Sequence, residues 1–105
     1  MADAFYFACN SGELEKVRDF LAQGGDPNAL DSGGFPAVFG AAQGGQVAVL
    51  ELLLGTGRLR IDAPNPNGAT ALFIAAQEGL AEVVGLLIEG GASVDAAMND
   101  GRTPL

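Results

Sequence analysis

The chain has 105 residues, with five basic and thirteen acidic side chains, no histidine and one cysteine. This length suits a single domain, and the net charge of −8 argues against nucleic acid or an anionic membrane surface as a partner. The longest apolar stretch, residues 47–54, is short and contains Glu51, so we expect no transmembrane helix.

The first thirty residues predict a pair of helices. Asp3 stands where it can cap the first helix, and Gly12 stands where that helix ends. A second helix follows, with an apolar stripe that includes Leu14 and Val17, and Gly24-Gly25 stops it. The loop that comes next is rich in turn residues, so the segment is typical of a helix-turn-helix unit followed by a loop.

This unit recurs along the chain at a nearly constant interval. Gly45 follows Gly12 by 33 positions, Gly79 follows Gly45 by 34, and Gly101 follows Gly68 by 33. The extra residue falls within residues 57–61, in a loop that can absorb it. A fixed period of this size indicates a supersecondary unit stacked on copies of itself.

Each later unit repeats the helix signals with small changes. Thr70 is expected to cap the first helix of the third unit. The second unit has Pro36 at that place, so its first helix is expected to lack a side-chain cap. In the third unit, helical spacing predicts an apolar stripe that faces the core, formed by Ala81, Val84, Leu87 and Ile88.

The repeated residues resemble those of the ankyrin repeat. The resemblance rests on Gly-x-Thr-Pro-Leu at 101–105, Gly-x-Thr-x-Leu…Ala-Ala-x-x-Gly at 68–79, and Leu-Leu-Ile-Glu-Gly-Gly-Ala-Ser-Val-Asp at 86–95. It implies an all-α ankyrin-repeat solenoid of stacked helix-turn-helix units with hairpin-like loops. The single domain spans 1–105, with repeats at about 1–30, 31–64 and 65–97 and a partial repeat at 98–105.

Catalysis is not expected from this sequence. Without histidine the chain lacks the commonest general base, and Cys9 reads as a small buried filler between helices. The acidic residues show no calcium-loop spacing, and we expect no metal and no cofactor. Tyr6, Phe39 and Phe73 stand where the ankyrin pattern usually has histidine, and an aromatic contact is expected to replace its hydrogen bond.

The resemblance also implies a surface for a protein partner, formed by loop tips and by the concave face of the first helices. Phe35 is the sharpest candidate on it, either as an anchor for the partner or folded back against Pro36 and Phe39. The expected loop residues are Ser32, Gly33, Phe35, Pro66, Asn67, Ala69, Asn99, Asp100 and Arg102. The expected helix-face residues are Asn10, Ser11, Gln43, Gly44, Gln77 and Glu78.

The sequence therefore predicts a non-catalytic protein-interaction module. Two alternatives stay open: an N-terminal part of a longer ankyrin protein whose effector function lies downstream, and a structural oligomer that self-associates through an uncapped third repeat. One cysteine favours a reducing compartment, so we expect a cytoplasmic or nuclear location. Asn28 is interpreted as a turn-stabilising residue, with hydroxylation as its functional alternative.

Overall fold

The computed structural model describes residues 2–95, which form six α-helices and, within that range, no strand. Pairs of consecutive helices are joined by tight turns, and longer loops separate one pair from the next. This arrangement confirms the expected all-α class of stacked helix-turn-helix units. The helices are α1 (Ala2–Ser11), α2 (Leu14–Ala22), α3 (Ala37–Gln43), α4 (Val47–Gly55), α5 (Ala71–Gln77) and α6 (Ala81–Glu89).

The helices stack in two layers. In the first, α1 packs on α3 and α3 packs on α5; in the second, α2 packs on α4 and α4 packs on α6. Small side chains such as Ala8, Cys9 and Ala41 are at most 2% exposed, and they allow the helices of the first layer to approach closely. Among the largest fully buried side chains are Leu50, Leu53, Leu72 and Leu87, which fill the space between helices.

Three predicted helix boundaries, at Thr70, Pro36 and Gly79, agree with the structure. Thr70 Oγ1 accepts a hydrogen bond from the backbone N–H of Phe73 at 3.2 Å, which confirms the expected cap of α5. Pro36 precedes α3 without a side-chain cap, as predicted. Gly79 follows α5 with a φ of 71°, a left-handed conformation that glycine adopts without steric cost.

One predicted cap is wrong. Helix α1 begins at Ala2, so Asp3 lies inside the first turn and not in front of it. Its carboxylate oxygen Oδ1 instead accepts a hydrogen bond from the backbone N–H of Ser32, in the loop that leads to α3. The acidic side chain therefore joins the first repeat to the second.

The predicted stripe of the third repeat is also partly wrong. Leu87 is buried as expected, but Ile88 is 41% exposed, Ala81 is exposed and Val84 is half-buried. Val83 is buried in their place, at 2% exposure. Because α6 packs against both α4 and α5, its buried face is set by two neighbours, and helical spacing alone does not locate it. The partial repeat at 98–105 lies outside the described residues.

Candidate binding surface

The first loop, residues 30–36, is a hairpin-like finger built around Asp31. The backbone N–H of Asp31 donates to the carbonyl oxygen of Phe35 at 3.0 Å, and Leu30 and Pro36 form an isolated antiparallel bridge. The carboxylate oxygen Oδ1 of Asp31 accepts from the backbone N–H groups of Gly33 and Phe35, both at 2.9 Å. One side chain thus holds the whole turn of this first finger.

The second finger, residues 64–70, repeats that geometry with an amide. Asn65 Oδ1 accepts from the backbone N–H groups of Asn67 and Ala69, both at 2.9 Å, and Asn65 N–H donates to Ala69 O at 2.8 Å. Asn65 is 8% exposed, so these bonds are largely shielded from water. Asp31 and Asn65 use the same acceptor atom for the same turn, which makes the two fingers equivalent in structure.

The first finger is fastened to α1 by an aromatic cluster as well as by Asp3. The ring of Phe35 meets Phe39 edge-on with centroids 5.4 Å apart, and it meets Tyr6 edge-on at 6.1 Å. Phe35 is half-buried as a result. Of the two interpretations of Phe35, the structure supports the one in which the ring folds back. It also confirms that Tyr6 and Phe39 make aromatic contacts where the family usually has histidine.

The two fingertips lie side by side. Gly34 has a φ of 87°, and a Cβ atom added there would lie 3.1 Å from Cγ of Pro66. A side chain at position 34 would therefore be strained in its backbone and would also press on the neighbouring finger. This close approach brings the exposed residues of both tips onto one continuous surface.

The ends of the first helices form the other part of the predicted surface. Asn10 is half-buried because its Nδ2 donates to Gly40 O at 3.0 Å, while Gln46 Nε2 donates to Asn10 O at 3.1 Å. A Cβ atom on Gly44 would clash with the carbonyl oxygen of Asn10, so the glycine there allows the close approach of two repeats. The exposed residues at these helix ends are Ser11, Gln43, Gly44, Gln77 and Glu78.

The structure places the remaining predicted residues as follows. Ser32, Gly33, Pro66 and Asn67 are exposed on the fingers, whereas Ala69 is 4% exposed and lies in the interior. Leu30, at 52% exposure, and Pro64 are exposed finger residues that sequence reasoning missed. Their shared position, directly before Asp31 and Asn65, was the signal that could have found them. Outside the described residues lie Asn99, Asp100 and Arg102.

Two titratable side chains near this surface, Cys9 and Tyr6, have raised pKa values. Burial raises the pKa of the Cys9 thiol to about 12, so it stays protonated at neutral pH. Burial also raises the pKa of Tyr6, with a smaller contribution from the charge of Asp31. Among residues 2–95, no group of three or more histidine, cysteine, aspartate or glutamate side chains could hold a metal ion. No helix within that range has the length and apolar character needed to cross a bilayer.

Comparison with known families agrees with this geometry. The family described as ankyrin repeats in three copies matches residues 4–98. The chain belongs to the ankyrin repeat family. Ankyrin repeats generally mediate contacts between proteins.

Several curated proteins share this repeat domain. Ankyrin repeat domain-containing protein 63 of Mus musculus is 43% identical over 79 residues, covering 72% of this chain and 20% of that protein. B-cell lymphoma 3 protein homolog of Mus musculus is 36% identical over 95 residues, covering 87% of this chain and 21% of that protein. Palmitoyltransferase AKR1 of Lachancea kluyveri is 32% identical over 107 residues, covering 99% of this chain but 14% of that protein. The ankyrin chain thus spans about a fifth or less of these relatives.

Proposed function

We propose that this ankyrin domain binds a partner protein through the two fingers and the exposed ends of the first helices. The observation that carries the proposal is that side-chain hydrogen bonds hold both fingers in place. Each finger is held by a side chain inside its own turn, and the first is joined to α1 through Asp3. A surface that is ordered before binding loses little conformational entropy when a partner docks.

The chemistry of this surface favours a partner that offers apolar side chains and hydrogen-bonding groups. Leu30 is more than half exposed, and Phe35 is half-buried. Ser32, Asn67 and Gln77 supply neutral polar groups, beside the exposed carboxylate of Glu78. The net charge of −8 makes nucleic acid and anionic membrane poor alternatives. The proposed role is non-catalytic.

A pair of charge-matched variants tests this proposal. Ser32→Arg with Asn67→Arg places two bulky cations on the fingertips, where both side chains are exposed. Ala81→Arg with Gly85→Arg adds the same charge at exposed positions of α6, away from the fingers. Partners retained by the immobilised wild-type chain would be identified by mass spectrometry and their affinities measured by calorimetry. We expect the fingertip variant to lose a partner that the control variant keeps.

Comparing the partner affinities of the two variants shows which surface binds the partner. Partner affinities that fall equally in both variants would point to a general effect of charge, and the fingers would not be the binding surface. An affinity lost only in the Ala81 and Gly85 variant would place the surface on α6 and overturn the proposal. Circular dichroism of both variants checks that neither substitution disturbs the helices.

A second candidate is that the domain is one part of a longer protein whose effector function lies elsewhere. The small share of each relative that the chain covers favours it. The intact mass of the protein from its native source tests this idea, because a mass near 10.6 kDa would contradict it. Self-association through the third repeat, the other candidate, is tested by light scattering. A cytoplasmic or nuclear location is likewise proposed, and fluorescence microscopy of the tagged native protein tests it.

A further inference from the structure

A groove of about 550 Å³ runs between α2 and α4, in the layer of second helices. None of the residues that line it belongs to the fingers or to the ends of the first helices. Leu21 and Leu52 are half-buried and give the groove an apolar floor. Asp19 and Glu51 stand at its edge, and both are exposed.

Small residues at equivalent helix positions open this groove. Ala22 and Gly55 lie 33 positions apart, and both line the space. A Cβ atom added to Gly55 would meet no atom within 4 Å, so a side chain there would project into open room. The equivalent position of α6 carries Glu89, whose longer side chain would narrow such a space.

Two acidic side chains, Asp19 and Glu51, and one basic side chain, Arg18, line the groove. The two ion pairs found within residues 2–95 are Lys16 with Glu13 at 2.7 Å and Arg18 with Glu15 at 3.3 Å. Arg18 lines the groove but is engaged by Glu15, on its own helix. Neither Asp19 nor Glu51 forms an ion pair within the described part of the chain, so a docked group of positive charge would be attracted to them.

The walls of the groove decide which shape of partner fits. Both are helices of nine residues, about 13 Å long, whose backbone groups are bonded along their own axes. An extended peptide would find no free backbone edge to pair with, whereas a helix packs its apolar side chains between two helices.

We propose that the groove between α2 and α4 docks an amphipathic helix of a partner protein. Apolar side chains of that helix rest on Leu21 and Leu52, and lysine or arginine side chains on its flanks face Asp19 and Glu51. The groove is separate from the finger surface. The domain can therefore bind two partner segments at once or contact one partner on two sides.

A synthetic peptide serves as the probe. It is an amphipathic helix with leucine at helical spacing along one face and lysine on both flanks. A second peptide carries glutamate in place of every lysine. Binding is followed through the amide chemical shifts of the whole isotope-labelled chain. We expect saturable shifts of Leu21, Leu52 and Gly55 with the lysine peptide, and at least tenfold weaker binding of the glutamate peptide, which is about 1.4 kcal/mol.

Two glycine variants locate the binding. Gly55→Gln adds a side chain at the groove, and Gly85→Gln adds the same side chain to α6; at both positions a Cβ atom meets no other atom within 4 Å. Because neither site is crowded, both variants are expected to fold. We expect the Kd of the lysine peptide to rise about tenfold or more in Gly55→Gln and to stay unchanged in Gly85→Gln.

Each other result overturns the proposal. Equal Kd values for the two variants, or shifts confined to the fingers, would show that the peptide does not use the groove. Equal binding of the two peptides would remove the role of Asp19 and Glu51. Absence of saturable binding up to millimolar peptide would show that the groove does not accept such a helix. Shifts around Gly55 that change with protein concentration alone would assign the groove to a second copy of the chain.

Discussion

The side chain of Asn28 reaches from the first repeat to the backbone of Arg60 in the second. Its Oδ1 accepts from Arg60 N–H at 2.7 Å, and its Nδ2 donates to the carbonyl oxygen of Arg58 at 2.8 Å. One repeat later, Asp62 Oδ1 accepts from Ser93 N–H at 2.9 Å. Asn28 thus stabilises a loop of the second repeat, and Asp62 does the same for the third.

We predict that Asn28→Ala lowers the free energy of unfolding by about 1–2 kcal/mol, because it removes both hydrogen bonds to the second repeat. Asn28→Asp should recover part of the loss, since Asp62 makes the equivalent bond with a carboxylate. Urea denaturation measures these changes. Asn67→Ala, at an exposed fingertip, is the control and should change stability by less than about 0.5 kcal/mol. Equal losses for positions 28 and 67 would contradict the prediction.

The equivalent geometry of the two fingers predicts that aspartate, which the first finger has at position 31, can replace Asn65 in the second. Asn65→Asp should retain both bonds to Asn67 N–H and Ala69 N–H, as Asp31 does in its own turn. Asn65→Ala should cost about 1–3 kcal/mol, because it leaves a buried backbone donor without a partner. Hydrogen exchange of the amides of Asn67 and Ala69 reports the result. Similar exchange in the two variants would show that Oδ1 does not hold the turn.

Replacing two helical glycines by alanine should change the free energy of unfolding in opposite directions. A Cβ atom on Gly40 would lie 2.8 Å from Cε2 of Tyr6, so Gly40→Ala should destabilise the protein by about 1–3 kcal/mol. Gly85 has open space around it, and Gly85→Ala should stabilise α6 by about 0.5–1 kcal/mol through helix propensity. Thermal unfolding compares the two. A higher Tm for both variants would mean that the methyl group added at position 40 does not clash with Tyr6.

Burial of Cys9 predicts both low reactivity and a loss of stability in alkali. Its pKa is raised from the ordinary 9.0 to about 12, so the folded state holds the thiol proton more tightly than the unfolded chain does. The resulting stability is complete below pH 9 and is lost as the pH rises towards 12, and the raised pKa of Tyr6 acts in the same direction. A thiol reagent at pH 8 should react only after urea is added. Rapid reaction of the native protein would contradict this.

The repeat period, its turns and its helix caps could be predicted from the sequence because they depend on local chemistry. The glycine spacing located the turns, and the hydroxyl of Thr70 caps α5 as expected. These features arise from residues within one turn or one helix end, and the sequence displays them directly.

Contacts between repeats could not be predicted in the same way. Asp3 has the side chain of a helix cap, yet its acceptor serves Ser32, 29 residues away. Ala69 follows the fingertip in sequence, but its side chain turns inward while Leu30 remains exposed. Helical spacing likewise could not choose between Val83 and Ile88, since that choice depends on the neighbours that surround α6.

The hydrogen bonds that join one repeat to the next have a consequence for the speed of folding. Those described above connect residues 29 to 36 positions apart, from Asp3 with Ser32 to Asn10 with Gln46. To form any of these bonds, the unfolded chain closes a loop about one repeat long. The entropic cost of loop closure is therefore nearly the same for every bond. Folding slows as contacting residues lie further apart in sequence, and for these bonds that separation is set by one repeat and not by the length of the chain. Further repeats added to the array would therefore lengthen the molecule without slowing the formation of any single interface.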